Sequence, residues 1–362
     1  MRDVLDQLLR WREEGTRVAL ARVVDLDGSG PRLPGAAMAV NDRGEVAGSV
    51  SGGCVEAAVV DEAQRVLIGQ QPRLVSFGYR DDDAFAVGLT CGGTVRIFIE
   101  LLDWSVLERV AVARARGEAL AVVTVIDGPQ RGATMTLTAA DVQGSLGEPD
   151  LDRVVVRDAR GELAAGRSAV RHYGAHGEAR ASAVTVFVDS HAPPPRMLIF
   201  GAVDFTAALV RQAKLLGYHV TVCDAREVFA TPARFPEADE VVVEWPDQLL
   251  ARLGADLGPR DAVCVLTHDH RFDIPAIVAA LGTRVGYLGA MGSRRTHAER
   301  LVRLREAGVS TEQLDRLMAP IGLDLGARTP EETAVAICAE IIASRTGAPV
   351  PSLRDGDGPI HR

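Results

Sequence analysis

The amino-acid sequence predicts an α/β protein: an N-terminal α+β domain with an internal repeat, followed by a C-terminal Rossmann-like domain with a parallel sheet. Three observations predict this class. Strand-like apolar runs alternate with helical segments after residue 196, strand and helix signals recur twice in one order before residue 188, and a proline cluster separates the two patterns. The 362 residues are long enough for two domains.

Composition narrows the functional class. Apolar residues make up 47% of the chain and charged residues 25%, so the protein can bury an ordinary core. A net charge of −9 argues against a general nucleic-acid binder and against docking on anionic lipid. The charged amphipathic N-terminus does not have the pattern of a signal peptide, and no apolar run approaches a membrane span. We therefore expect a cytoplasmic protein that binds neither nucleic acid nor membrane.

The N-terminal domain, predicted to span residues 1–188, contains two related units. The first runs from VALARVVDLDG to TVRIFIE and the second from LAVVTVIDG to VTVFVD. In both, the predicted order is strand, turn, strand, Gly-Ser loop, helix, strand and strand. The segment Ser51–Glu56 of the first unit aligns with Leu146–Pro149 of the second, and residues 88–93 have no counterpart. The second unit thus keeps the fold signals without the cysteines of the first.

Three successive prolines lie within Asp189–Arg196 and enforce extended backbone. They predict a linker at 189–196, a Rossmann-like domain at 197–346 and a C-terminal tail at 347–362. The strands predicted in that second domain are MLIFG, YHVTVCD, EVVVEW, DAVCVLT and RVGYLG. The last long helix is predicted to begin with a capping box formed by Thr329 and Glu332, with Pro330 in its first turn.

Five cysteines in a chain expected in the cytoplasm do not indicate a disulfide framework. Cys223, Cys264 and Cys338 lie in apolar runs and are predicted to be core residues. Cys54 and Cys91 differ, because glycines flank them in SGGCVE and GLTCGG.

Glycines beside a cysteine allow positive φ angles and close approach of a ligand. Gly52, Gly53 and Gly92 are therefore candidate binding residues together with both thiols. A helix follows Cys54, and its dipole stabilises a thiolate, which is a soft metal ligand and a nucleophile. The pattern predicts thiolate ligation by Cys54 and Cys91, although small residues in tight turns are the alternative.

Two further segments have the chemistry of anion sites. Arg32 follows a Gly-Ser turn and offers a bidentate fork to phosphate. The segment 289–296 follows a strand and opens a helix, which predicts an anion site at the helix N-terminus. Its candidate binding residues are Gly292, Ser293, Arg294 and Arg295. In both segments the alternative is an ordinary turn or helix start with solvated arginines.

The nucleotide loop of the Rossmann-like domain is degenerate. Of the three glycines in the dinucleotide fingerprint only Gly201 is present, and Val203 and Asp204 stand where pyrophosphate would approach. Asp224 nevertheless occupies the ribose-binding position at the end of the second strand. The sequence therefore does not favour NAD(P) binding in the usual mode. The THDH loop at 267–270 is predicted to be a hydrogen-bonded site loop rather than a metal site, and the segment 320–327 to close over the same crevice.

These segments together resemble the XdhC/CoxI family, the accessory proteins for maturation of molybdenum hydroxylases such as xanthine dehydrogenase. The matching stretches are GSGPRLPGAAM, GSVSGGCVE, VGLTCGG, PPPRMLIFGA, GYHVTVCDAR, THDH, YLGAMGSRRTHAERL and PIGLDLGARTPEETAVAI. They span nearly the whole chain in the family's order. Many members look closer to G-A-G-x-x-G at the nucleotide loop, where this chain has GAVDFT.

The resemblance implies a carrier rather than a catalyst: a protein that binds and shields molybdenum cofactor and helps deliver its sulfurated form to an apo molybdenum hydroxylase. It implies that Cys54 and Cys91 bind the cofactor, in its molybdopterin or nucleotide-extended form. A cysteine desulfurase and a cofactor nucleotidyltransferase are further expected partners, and a homodimer is the base-rate expectation. Two alternatives remain open: an NAD(P)-dependent oxidoreductase, and a metal-free thiol protein for sulfur transfer.

Overall fold

The computed structural model describes residues 1–27, 32–69, 71–78, 94–179, 181–347, 350 and 354. The chain divides into two compact units, Met1–Pro193 and Pro194–Arg362. Within the described ranges, none of the helices combines the length and the apolar character needed to span a bilayer.

The first unit holds two five-stranded antiparallel sheets. Its elements are α1 (Leu5–Glu13), β1 (Val18–Asp27), β2 (Ala37–Asn41), β3 (Val46–Gly48), α2 (Glu56–Leu67), β4 (Arg73–Phe77), β5 (Thr94–Leu101), α3 (Trp104–Arg116), β6 (Leu120–Asp127), β7 (Thr134–Leu137), β8 (Val142–Gly144), α4 (Pro149–Ala165), β9 (Ala169–Tyr173) and β10 (Val184–His191). The strand orders of the two sheets are β3-β2-β1-β5-β4 and β8-β7-β6-β10-β9.

The predicted internal repeat is confirmed, since both sheets have the same strand order and each receives one helix after its third strand. Even a local constraint recurs: Gly48 and Gly144 both have positive φ at the end of that strand. A Cβ at Gly48 would lie 2.3 Å from the carbonyl oxygen of Ala37, and one at Gly144 would lie 2.5 Å from that of Thr134. Only glycine fits at this point of either repeat.

The two sheets share buried side chains. Val24, Phe98, Ile126 and Phe187, one from each of four strands, form a common apolar cluster. Arg22 of β1 is fully buried beside them and donates hydrogen bonds to Glu100 and to the Thr124 hydroxyl of the second repeat. The two repeats therefore form one domain.

The second unit contains a six-stranded sheet in which all pairs are parallel. Its elements are β11 (Arg196–Phe200), α5 (Asp204–Leu215), β12 (His219–Cys223), β13 (Glu240–Val242), α6 (Pro246–Leu253), β14 (Ala262–Val265), α7 (His270–Leu281), β15 (Tyr287–Ala290), α8 (Arg294–Glu306), α9 (Thr311–Leu314), β16 (Leu317–Met318) and α10 (Pro330–Thr346). The strand order is β13-β12-β11-β14-β15-β16. This is the usual Rossmann order, with its switch point between β11 and β14.

The five predicted strands of this sheet and the capping box of α10 are confirmed. The predicted linker at 189–196 is too long, because β10 continues to His191 and β11 begins at Arg196. Residues 192–195 alone lie between the strands, since the prolines there cannot donate backbone hydrogen bonds to a sheet.

The three cysteines predicted to be core residues are buried. Desolvation raises the pKa of Cys223 to about 12 and that of Cys338 to about 11. Burial also raises the pKa of Cys264 well above its ordinary value. These thiols therefore remain protonated and serve as small packing groups.

Candidate functional site

Cys54 lies in the loop between β3 and α2, two residues before the helix begins. Its side chain is half-buried and packs against the apolar cluster between the first sheet and α2. The loop brings this sulfur to the amino end of a 12-residue helix. The sequence prediction that a helix follows Cys54 is confirmed.

The shape of this loop is set by the carboxylate of Glu56, the first residue of α2. Its Oε1 accepts hydrogen bonds from the Ser49 hydroxyl at 2.7 Å and from the Ser51 amide at 2.9 Å. Its Oε2 accepts from the Ser51 hydroxyl at 2.5 Å and from the Gly53 amide at 2.8 Å. One carboxylate thus holds both ends of the loop.

Every backbone amide from Val50 to Val55 donates a hydrogen bond within the loop. The acceptors are the Glu56 carboxylate and the hydroxyls of Ser49 and Ser51. The Cys54 amide, for example, donates to the Ser51 hydroxyl at 2.9 Å. The loop amides are therefore used internally, so this loop is not a phosphate cradle, and what it can offer a ligand is the sulfur of Cys54.

Gly52 and Gly53 have φ angles of 76° and 120°, which other residues adopt only with strain. A Cβ at either position would meet no atom within 4 Å. The glycines are thus required by the backbone rather than by crowding. Among the described residues, no atom lies within 4 Å of a Cβ placed at either glycine, so the described part of the chain does not block the approach of a ligand to the loop.

Electrostatics favour the charged form of Glu56. Burial alone would raise its pKa, but the hydrogen bonds from Ser51, Ser49 and the backbone outweigh it and lower the pKa to about 2. At neutral pH the carboxylate is fully ionised, and every donor that converges on it remains satisfied.

The second repeat keeps part of this arrangement without a thiol, and its helix begins earlier relative to the acidic residue, at Pro149. Asp152, the fourth residue of α4, accepts from the Ser145 hydroxyl at 2.7 Å and from the Leu146 amide at 2.8 Å, as Glu56 does from Ser49 and Val50. Counted from this shared anchor, Asp150 corresponds to Cys54, although Asp150 already lies in the first turn of α4. The sequence alignment of Ser51–Glu56 with Leu146–Pro149 was wrong in register, because the acidic anchor rather than the glycines is the shared feature.

The remaining N-terminal candidates are only partly described. Cys91 and Gly92 lie outside the described residues, as does the turn that precedes Arg32. Arg32 itself is half-exposed, and its Nη1 lies 3.7 Å from Oδ2 of Asp3. In the described part of the chain, no three His, Cys, Asp or Glu side chains are grouped closely enough to hold a metal ion.

In the second unit, Gly201 and Asp224 lie where the Rossmann fold predicts. Gly201 has a φ of 113°, and a Cβ there would lie 2.7 Å from Cγ2 of Thr267. Asp224 is buried directly after β12. Its Oδ2 accepts from the Ala202 amide and from Nη2 of Arg226, both at 2.8 Å, and its Oδ1 accepts from the amide and Nε of Arg226, both at 2.9 Å.

Both oxygens of Asp224 therefore accept two hydrogen bonds from the protein itself. A carboxylate has about four lone-pair positions, so none remains for a ribose diol. Burial raises the pKa of Asp224, but the bonds from Arg226 and Ala202 outweigh it and lower the pKa overall. The acidic residue of the nucleotide fingerprint is a structural ion pair in this conformation.

Three loops predicted to form a crevice do meet, in a pocket of about 390 Å³ at the carboxyl ends of β11, β14 and β15. His268 comes from the THDH loop, Gly292 and Ser293 from the loop after β15, and Pro320, Ile321 and Leu323 from the segment before α10. The other lining residues are Phe205, Met291, Ala327, Thr333 and Ala336. Most of these side chains are apolar.

The four candidates of the predicted anion site separate. Gly292 and Ser293 line the pocket, and the Ser293 hydroxyl caps α8 by accepting from the Thr296 amide at 3.1 Å. Arg294 and Arg295 are absent from the lining. Arg295 is 90% exposed, and its Nε lies 3.4 Å from Oε1 of Glu299. The structure thus brings the glycine and the serine to the pocket but not these two guanidinium groups.

Two buried polar groups support the pocket from behind. Arg300 of α8 donates from Nη2 to Oδ2 of Asp273 at 2.8 Å and to the Met291 carbonyl at 2.7 Å. Glu340 of α10 accepts from the Tyr287 hydroxyl at 2.7 Å and from the Gly322 amide at 2.9 Å. The loops that line the pocket are therefore held by the sheet and by α10.

The sequence analysis missed Glu56, Arg300 and Glu340 as positioning residues. An acidic residue near the start of the helix in both repeats was a usable signal for Glu56. Arg300 and Glu340 gave none, because a charged residue on a helix is ordinarily exposed and pairing across a fold is not visible in one sequence.

The fold and these sites define a class: a two-unit protein with a duplicated antiparallel domain that carries a glycine-flanked cysteine loop, joined to a Rossmann-type domain with an altered nucleotide loop. The sequence matches the family described as XdhC and CoxI over residues 11–78 and 113–174, and the XdhC Rossmann domain over residues 197–341. The chain therefore belongs to the XdhC/CoxI family.

Individual relatives cover almost the whole chain. It is 28% identical over 350 residues to a Bacillus subtilis protein named as a probable subunit of xanthine dehydrogenase, covering 94% of this chain and 96% of that protein. It is 26% identical to the "Molybdenum cofactor insertion chaperone PaoD" of Escherichia coli, covering 91% and 84%. A crystal structure described as a xanthine dehydrogenase from Bacillus halodurans superposes with a TM-score of 0.68 at 25% identity, covering 95% and 96%.

Proposed function

We propose that this protein is an accessory factor in molybdenum cofactor maturation, which binds the cofactor as cargo and delivers its sulfurated form to an apo molybdenum hydroxylase. The observation that carries the proposal is the Cys54 loop. Its amides from Val50 to Val55 are bonded internally, a Cβ at either of its glycines would meet no described atom within 4 Å, and its one nucleophilic sulfur is that of Cys54. Membership of a family with a molybdenum cofactor insertion chaperone supports it.

The donor chemistry fits this cargo. A thiolate is a soft ligand suited to molybdenum and its sulfido group, and a loop fixed by Glu56 presents it without reorganisation. Cys91 is proposed as a second thiol for the same cargo. Since the Cys54 loop has no amide to give, the phosphate of the cofactor must be held elsewhere, and Arg32 is the candidate in this unit.

The finer parts of the proposal follow from the chemistry of the cargo. A sulfurated cofactor requires a sulfur donor, so a cysteine desulfurase is a proposed partner. A nucleotidyltransferase is a proposed partner where the client uses a nucleotide-extended cofactor. We propose that the protein acts in the cytoplasm as a homodimer and carries the cofactor without catalysing a reaction of its own.

The experiment is delivery to a client. Protein loaded with sulfurated cofactor is mixed with an apo molybdenum hydroxylase, and recovered activity is compared with that from the same amount of released cofactor. We expect faster and more complete activation from the loaded protein, with no activation when the carried cofactor lacks the sulfido group. Equal activation by released cofactor would remove the carrier role.

Neither alternative from the sequence is favoured by a specific observation. An NAD(P)-dependent oxidoreductase needs Asp224 for the ribose, and both of its oxygens are occupied. Sulfur transfer without metal needs the same thiol as the cargo proposal. A persulfide trapped on Cys54 in metal-free protein would favour it.

A further inference from the structure

We propose that the pocket of the second unit binds a planar nitrogen heterocycle of one or two rings, and that it does so without an adenosine half. The pocket is the one lined by Phe205, His268, Ser293, Ile321 and Thr333, among others. This inference does not rest on Cys54, which belongs to the other unit. It assigns a ligand class to a domain whose nucleotide fingerprint is altered.

The position of the pocket is the first argument. Dinucleotides bind Rossmann sheets across the switch point, with the adenosine on the side of the first three strands and the second ring on the other side. Here the strand order is β13-β12-β11-β14-β15-β16, and the pocket is lined mainly by the loops after β14, β15 and β16, together with Phe205 of α5 and residues of α10. It therefore corresponds to the half that receives the second ring.

In the adenosine half, side chains of the protein itself contact one another and the ribose-binding aspartate. Arg226 saturates Asp224, and its guanidinium lies 4.6 Å from the ring centroid of Phe229. Trp245 and Phe272 stack on one another with centroids 4.6 Å apart. Phe229 and Trp245 follow β12 and β13, on the side of the switch point that receives the adenosine, and Phe272 follows β14 at the switch point itself.

The phosphate position is equally unsuitable. α5 begins at Asp204, whose side chain is 90% exposed. A pyrophosphate at this helix start would face that carboxylate, and like charges at close range are unfavourable, although Nη2 of Arg234 lies 3.8 Å from Oδ1 of Asp204 and offsets part of the repulsion. The loop amide of Ala202 already donates to Asp224. Both observations argue against a bridging pyrophosphate.

The pocket on the other side of the switch point has a size and a surface suited to a small planar ring. At about 390 Å³ the pocket lies near the lower end of ligand sites, which span about 300–1,000 Å³, so it suits a small ligand. Phe205, Met291, Ile321 and Leu323 supply apolar walls. His268, Ser293 and Thr333 add polar groups that can meet ring nitrogens and exocyclic oxygens. Among the described lining residues, His268 is the sole titratable one.

The pocket is also preorganised. The Ile321 amide donates to the Ala290 carbonyl at 3.1 Å and the Leu323 amide donates to the Ala336 carbonyl at 3.2 Å. Glu340 holds Gly322, and Arg300 holds Met291. Because both flanking loops are fixed, a ring can bind without ordering the chain first.

Isothermal titration calorimetry on the full chain tests the proposal with pterin, nicotinamide mononucleotide and NAD⁺ as probes. We expect at least one of the first two to bind with a Kd of about 0.1 mM or tighter, as the affinity per atom of small ligands allows. The probe that binds identifies the source of the ring. NAD⁺ should bind no more tightly than nicotinamide mononucleotide.

Two positions on α10 provide the matched variants. Thr333 lines the pocket, whereas Val335, two residues further on, is 46% exposed and is not in the lining. Thr333→Trp should weaken ring binding by about ten-fold or more, and Val335→Trp should leave it within about two-fold. Phe205→Ala, which removes one apolar wall, should also weaken binding and covers the case in which Thr333→Trp does not fold.

Three results would overturn the proposal: no binding of either ring at millimolar concentration, NAD⁺ about ten-fold tighter than nicotinamide mononucleotide, or equal effects of the two tryptophan variants. Cofactor retention by Cys54 is measured separately. A failed pocket therefore leaves the proposed function standing, and a failed cysteine site leaves the pocket standing.

Discussion

Cys54 and Glu56 lie two residues apart, where the loop after β3 meets α2, and have different roles. Cys54 supplies a sulfur, and Glu56 supplies the carboxylate on which the loop donors converge. The second repeat keeps the carboxylate as Asp152 and has Asp150 where the thiol would be. The acidic anchor is thus common to both repeats, whereas the thiol is present in only one of the two corresponding loops.

Glu56→Gln should destabilise the first unit by about 1–2 kcal/mol at neutral pH, because the substitution removes charge-assisted hydrogen bonds from a half-buried group. The folded pKa of about 2 is below the ordinary 4.5. The stabilisation is therefore present above about pH 4.5 and is lost as the pH falls through about 2. Urea denaturation of both proteins at pH 7 and pH 3 measures the difference, which should shrink at pH 3.

Asp152→Asn is the matched control for Glu56→Gln. It should also lower the free energy of unfolding, but by less than Glu56→Gln, since Asp152 accepts two hydrogen bonds from its loop. It should not lower cofactor retention, whereas Glu56→Gln should. Equal loss of retention in the two variants would mean that both act through general destabilisation.

At this scale the sequence predicted the position of Cys54 from its glycines and the helix that follows. It did not predict that all six amides of residues 50–55 are bonded internally. That property depends on the loop folding back on Glu56, which neither spacing nor propensity encodes. It also did not predict the Arg226 fork on Asp224, because the pair forms only once the chain turns after β12.

Among the elements, α7 and α8 are joined by a fully buried ion pair. Asp273 of α7 accepts from Arg300 of α8 and from the Thr267 hydroxyl that follows β14. Both charged side chains are at most 1% exposed. A buried ion pair forms only in one geometry. Removing one partner leaves the other charge buried without a counter-charge.

Arg300→Ala should destabilise the second unit by about 3–5 kcal/mol, because Asp273 would remain buried and unpaired. Thermal and urea denaturation measure the loss. The double variant Arg300→Met/Asp273→Leu should recover a large part of it, since no charge is then left behind. A double variant as unstable as Arg300→Ala would show that the arginine acts through packing rather than through its charge.

The sequence predicted most elements of the second unit because parallel strands buried on both faces form continuous apolar runs. It missed β16, which has two residues and no such run. It also extended the linker into β10 and β11. The ends of strands are set by pairing with neighbouring strands. The prolines at 193–195 lie between β10 and β11, whereas the polar residues at 189–191 still belong to β10.

The whole molecule combines a duplicated domain with a Rossmann-type domain. Each unit has its own buried apolar clusters, which is the condition for independent folding. We propose that the boundary between the two domains lies within 192–195. The duplication shows that the frame forms in the second repeat without a thiol at this position.

Residues 1–193 and 194–362, produced separately, should each fold on its own. Circular dichroism and cooperative urea unfolding of each fragment are the measurements. Each fragment should give a single transition with a midpoint close to one seen in the full chain. An unfolded fragment would show that the units depend on one another for stability.

The sequence predicted which loops line the pocket of the second unit. It did not predict all of the side chains that meet there. That the loops after β14 and β15 converge follows from the fold, since carboxyl ends of parallel strands share one edge. Phe205 and Thr333 also reach the pocket, but from the first turns of α5 and α10, where apolar or small residues look ordinary. Arg294 and Arg295 carried the strongest charge signal, yet they are absent from the pocket lining.

The central claim is that Cys54 holds molybdenum cofactor. The most direct measurement is retention of the cofactor after reconstitution and gel filtration, with molybdenum measured by mass spectrometry and pterin by fluorescence. Cys54→Ala is compared with Asp150→Ala, the equivalent position of the second repeat, and with Cys338→Ser, a buried thiol of α10. We predict loss of bound molybdenum in Cys54→Ala and retention in both controls. Unchanged retention in Cys54→Ala would contradict the account.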